Sequence, residues 1–132
     1  MACDPELLSN WAKYLCVLIS GFIEESVHVL ILKYVKRKAS PDVQHFIGCK
    51  MKDFQNAKMG KILELLGEFS VELKMGIETA TEGELKDAID SVVQNRHLIA
   101  HGRTIGISFV TIKDYYGRVL KVVELLETAL AS

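Results

Sequence analysis

The sequence predicts an all-α protein, a bundle of five helices opened by a long first one. Three observations carry that expectation. Apolar residues recur at spacings of three, four and seven over most of the chain. Two pairs, Asp4-Pro5 and Ser40-Pro41, join a capping side chain to a proline at the first helical position. No segment alternates long enough to make a convincing sheet.

From Asp4-Pro5, the residues Trp11, Leu15, Leu18, Phe22, Val29 and Leu32 trace one stripe, predicting a helix that reaches about Lys38. The β-branched run Val27 to Val35 keeps the same phase and stays helical. Ser40-Pro41 opens a short second helix with Val43, Phe46, Ile47 and Met51 on one side. The third runs from about Asn56 to Phe69 on Met59, Ile62, Leu63, Leu66 and Phe69. Residues 71–80 read as a loop with room for one turn, because Gly76 interrupts them and two threonines, Thr79 and Thr81, lie nearby. Thr81 to Glu84, "TEGE", matches a capping box and starts a fourth helix at Glu82 that runs to about Ala100, with Gly102 as its left-handed stop. Residues 103–110, "RTIGISFV", are a connection or short extended piece. "TIKD", Thr111 to Asp114, caps a final helix on Ile112, Tyr116, Val119, Val123, Leu126 and Leu130.

The 132 residues fit a single domain spanning 1–132, long enough to bury a core without staples. A net charge of −1 argues against a generally basic, nucleic-acid-coating surface. Local basic groups remain, in Lys33–Lys38 and in Lys50, Lys52, Lys58 and Lys61, and solvated helix faces account for most such runs. Cys3, Cys16 and Cys49 are dispersed and odd in number, which fits reduced thiols in a cytoplasmic protein better than disulfides or zinc. The apolar run Tyr14 to Ile23 stops at Glu24-Glu25, too short to span a bilayer, so no membrane partner is expected.

Two charges intrude on apolar stripes. With about 100° per residue, Arg96 falls at about +20° among Leu85, Ile89, Val92 and Ile99, and Glu25 at about −40° among Trp11, Leu18 and Phe22. An unpaired charge there is costly, so the two are expected to meet or to share one polar pocket. His97 and His101 are four apart on one flank of the fourth helix. Zinc needs further ligands that no Cys or His spacing supplies, and His28 and His45 join only by tertiary accident, so no metal or cofactor is expected. Arg96 and His101 lie about 140° apart on a straight helix, and the stop at Gly102 relaxes that constraint. A guanidinium beside an imidazole would suit a phosphate, the first gripping its oxygens and the second trading protons. Leu98, turned away from the stripe, is a dimer contact or an ordinary exposed leucine.

"RHLIAH", Arg96 to His101, fits the R-x4-H motif, and the wider "NRHLIAHG" resembles the "RN-x-x-AHG" form of the RiboL-PSP-type branch of the HEPN superfamily. The architecture resembles it too, with the motif closing the fourth of five helices. That resemblance implies a metal-independent endoribonuclease acting on RNA as a homodimer with facing motifs, often a toxin or defence effector with an antitoxin or partner protein. It implies Arg96 and His101 as catalytic residues. Asn95, His97, Glu25 and Arg103 are the auxiliary or RNA-binding candidates. The residue after the motif arginine is commonly Asn, whereas here it is His97 and Asn95 precedes, which leaves the auxiliary role open between them. The alternative is a non-catalytic HEPN-like module that binds a nucleotide, RNA or protein.

Overall fold

The computed structural model describes residues 4–103 and 105–131. The expected thiol at Cys3 and position 104 of the connection lie outside them. Among the described residues there are six helices and no strand: α1 (Pro5–Lys38), α2 (Pro41–Met51), α3 (Met59–Phe69), α4 (Val71–Thr81), α5 (Glu84–Ala100) and α6 (Phe109–Leu130). The class is the predicted one, and the long first helix passes unbroken through its β-branched stretch.

The count is not five, and the difference lies in residues 71–81. Ser70 caps α4, its hydroxyl accepting from the Leu73 amide at 3.3 Å, and Ile77 drives one side of the helix into the core. The capping box expected at Thr81 is not made. Thr81 is instead the buried last residue of α4, and its hydroxyl donates to the Ile77 carbonyl at 2.7 Å. Gly83, at φ 85°, turns the chain and serves as N-cap of α5, so the R-x4-H motif closes the fifth helix. Two other starts shift. Asn56 sits at φ 53°, outside any helix, and α3 begins at Met59, whose amide is taken by the Asp90 carboxylate at 2.8 Å. The α6 cap is Ser108, accepting from the Thr111 amide at 3.1 Å, not Thr111 itself.

Helices α1, α5 and α6 contact one another pairwise around the core. The α1 and α6 helices run parallel. Phe22, midway along α1, meets Tyr116 in the first half of α6, and near the helix ends the Arg37 guanidinium donates to the carbonyls of Ala131, at 2.8 Å, and Leu130. The α5 helix runs antiparallel to both, placing Glu84 at its start beside Arg118 of α6, 3.8 Å away. The charge of Arg37 thus caps the orphan carbonyls of α6.

The buried side of α1 is Ala12, Cys16, Ile19, Ile23, Val27, Ile31 and Val35. This corrects the predicted stripe, which lies about one residue, or 100°, around the helix. Trp11, Leu18 and Val29 of that stripe are exposed. The helix is apolar on two sides, and periodicity alone picked the outer one. That outer side continues onto α6, where Leu15, Leu18 and Phe22 face Phe109, Lys113 and Tyr116 across a groove of about 450 Å³. The double apolarity also gives α1 a mean hydropathy of 1.9 over its most apolar 18 residues, high enough by length and composition to cross a membrane. A third of that stretch is buried within the bundle.

Candidate active site at the end of α5

The end of α5 is set by Gly102. At φ 69° it lets the Arg103 amide donate back to the Leu98 carbonyl at 2.9 Å and its own amide donate to the Ile99 carbonyl at 3.0 Å. This pair of bonds is the Schellman closure the glycine predicts. It also fixes His101, the C-cap residue, whose backbone still follows the helical turn at φ −93° and ψ 13°.

Because the helix runs straight to its cap, residues four apart share a face. The His97 and His101 rings meet edge to face, centroids 4.4 Å apart. Both histidines are exposed, and with Gln94, Leu98 and Arg103 they line a surface cavity of about 430 Å³. Leu98 is half-buried in that wall. Arg103, one residue past the glycine, brings the cation into the cavity.

Arg96 does not line this cavity. It is half-buried on the inward stripe between Val92 and Ile99, and has no ion pair or hydrogen bond among the described residues. Arg96 and His101, expected to converge at a relaxed helix end, therefore share no cavity lining within one chain. The cause is the Schellman closure itself, which keeps His101 in helical phase. The expected meeting of Glu25 and Arg96 is not made either. The Cys16 thiol donates to the Val92 carbonyl at 3.4 Å, tying the antiparallel α1 and α5 together there. From that point Glu25 lies up α1 and Arg96 down α5, so at 1.5 Å per residue they are about 20 Å apart along the axes. Glu25 is exposed, because it sits on the outer side of α1 and not on the core side.

Asn95 is half-buried and turned to its own helix, its amide nitrogen donating to the Ser91 carbonyl at 2.8 Å. The basic runs are distributed otherwise than the motif. Lys38 stands over the Tyr34 ring, 5.6 Å from its centroid, toward the far ends of α1 and α6. Only Lys58 reaches α5, donating to the Gln94 side-chain oxygen at 2.8 Å. Gln94 and Lys58 are the site neighbours the sequence reading missed. The signal for Gln94 was present, since it lies seven residues before His101 on the same face. The signal for Lys58 was not, because a tertiary contact brings it there. Among the described residues no three His, Cys, Asp or Glu side chains are grouped to hold a metal ion.

An all-helical chain whose R-x4-H sequence closes a helix, with the histidine exposed at the cap, has the character of a HEPN-type domain. The chain belongs to the RiboL-PSP-HEPN family, whose model matches residues 2–132. HEPN-type domains are often ribonucleases. No curated protein and no solved structure matches the chain.

Proposed function

We propose that the chain is a metal-independent endoribonuclease, a cytoplasmic toxin or defence effector, acting as a homodimer on RNA. The observation that carries this reading is the exposed His101 at the cap of α5, held beside His97 and Arg103 in one cavity, in a family member that keeps Arg96. One imidazole takes the proton of a ribose 2′-OH, whose oxygen attacks the adjacent phosphorus. The bond from phosphorus to the 5′-oxygen breaks, and that oxygen receives a proton from the second imidazole. The products carry a 2′,3′-cyclic phosphate and a 5′-OH. A guanidinium holds the phosphate and offsets the charge that builds on its oxygens.

The divergence of Arg96 and His101 within a chain supports a site composed from two copies, the arginine of one beside the histidine of the other. The same divergence is the specific observation in favour of the alternative, a non-catalytic module that binds RNA, a nucleotide or a protein.

Purified protein is incubated with total RNA in EDTA, alongside Arg96→Ala, His101→Ala and an equal mixture of the two. Wild type cleaves RNA and leaves DNA intact, and each variant loses roughly 10²–10⁴-fold. The mixture recovers activity, because mixed dimers contain one cleft with both residues intact. Undiminished cleavage by His101→Ala removes the mechanism. Failure of the mixture removes the composite site, and no cleavage by wild type leaves the binding module.

A further inference from the structure

The motif cavity does not end at Gln94. That residue also lines a second cavity, of about 570 Å³, on the same outer face of α5. The two differ in charge. His97, His101 and Arg103 line the first, while Asp87 and Asp90 line the second together with Lys58, whose ammonium donates to the Gln94 side-chain oxygen at 2.8 Å. Asp90 is committed to the fold, accepting from the Met59 amide at 2.8 Å and from the Lys86 ammonium at 2.9 Å. The exposed Asp87 carboxylate has no hydrogen bond or ion pair among the described residues. Tyr115 of α6, half-buried against the core, also lines this cavity.

Lys58 is engaged by Gln94 and Asp90 by Lys86, so the carboxylate left to meet a ligand is that of Asp87, which favours a donor over a phosphate. What fits is a flat group bearing N–H donors. Single-stranded RNA is recognised by splaying such groups out, stacking them on aromatic side chains and bonding their Watson–Crick edges. Guanine is the base that sets two donors, N1–H and N2–H, side by side, matching the two oxygens of one carboxylate. His101 lies about 21 Å beyond Asp87 along the helix, a span of about six stacked nucleotides.

We infer that this cavity is a base-reading subsite for an unpaired guanine about six nucleotides along the strand from the scissile phosphate, with Asp87 accepting from its N1–H and N2–H and Tyr115 stacking on its face. The inference rests on the reading that the chain acts on RNA. Asp87 also stands in the first turn of α5, where a negative charge favours the helix in any case. Its test is therefore base preference and not stability.

Cut sites are mapped on a randomised single-stranded RNA pool for wild type, Asp87→Asn and Asp87→Glu. Guanine is enriched at one fixed position from the cut in wild type and Asp87→Glu. Asp87→Asn loses about tenfold of that preference, in the range of one good bidentate base contact, and still cleaves total RNA. In parallel, the His101→Ala protein is titrated with short oligonucleotides carrying guanine or inosine, which lacks the N2 amine, followed by fluorescence anisotropy. Guanine binds about tenfold more tightly, and adding Asp87→Asn removes the difference. No enriched base, or a preference unchanged in Asp87→Asn, overturns the subsite while cleavage stands. Guanine selectivity in binding without any cleavage overturns the nuclease reading and upholds the subsite. Neither cleavage nor selectivity overturns both.

Discussion

His97 and His101 touch edge to face at the end of α5, their ring planes at 61° and centroids 4.4 Å apart. The contact is the ordinary meeting of side chains four apart on a helix, held in place because Gly102 ends the helix only after His101. It makes His97 the side chain in ring contact with the motif histidine.

Removing His97 should therefore disturb His101. His97→Ala is expected to slow RNA cleavage by roughly ten- to hundredfold through misplacement, less than His101→Ala does. Asn95→Ala should cost at most about twofold, because its amide is bound to the Ser91 carbonyl of its own helix and not to the motif. Initial rates on a defined RNA rank the three variants, and the reverse order would assign the auxiliary role to Asn95.

Gly102→Ala tests the closure of α5. A Cβ at this position meets nothing within 4 Å, so the cost is conformational, from φ 69°. A left-handed non-glycine residue costs about 1–2 kcal/mol, which lowers the melting temperature by roughly 2–8 °C for a domain near this size. Calorimetry of the variant measures it. An unchanged melting temperature would mean that the turn is not closed in solution as described.

Cys16 gives the chain an alkaline sensitivity. Burial pushes its thiol up to about 11, from an ordinary value of 9.0. A raised acid holds its proton more tightly when folded, so its contribution to stability is complete below about 9 and is lost as pH rises through about 11. Denaturant unfolding from pH 8 to 11 should show stability falling by up to about 2 kcal/mol, with a shallower slope in Cys16→Ala. At pH 8 a thiol reagent should modify exposed Cys49 and leave buried Cys16 untouched in the native protein.

The outer side of α1 and α6 should associate with a second copy. Leu7, Trp11, Tyr14, Leu18, Phe109, Tyr116 and Leu120 are each exposed by a third or more. With aromatic side chains presenting roughly 150–250 Å² when fully exposed, the surface amounts to on the order of 600 Å² of apolar area, the upper end of what monomers leave in water. Leu18→Glu with Tyr116→Glu should shift the sedimentation mass toward the monomer. Leu7, Trp11 and Phe109 stand at the end of the bundle that carries the motif, since Cys16 of α1 meets Val92 of the antiparallel α5. An unchanged mass would mean that any pairing runs through another face.

The helical class, the helix-ending Gly102 and the histidine pair were legible because each depends on neighbours within about one turn. The missing sixth helix and the shifted starts fall where local signals competed. Thr81 can cap the next helix or bond back into its own, and the burial of Ile77 settled it. The phase of α1 was unreadable for another reason. Both of its sides are apolar, and only the positions of α5 and α6 determine which one is core.

What the sequence by itself determined is therefore the class, the family motif and which side chains lie one turn apart on a helix, since geometry along a helix follows from residue spacing alone. Only the tertiary structure decided that His101 stands in an open cavity that Arg96 does not line, that Glu25 lies about 20 Å from Arg96 along the helix axes, and that Lys58 and Tyr115 join the outer face of α5. Those relations depend on the antiparallel set of α1 against α5 and on the packing of α3 and α6 beside them. No spacing within a single segment encodes the distance between two helices.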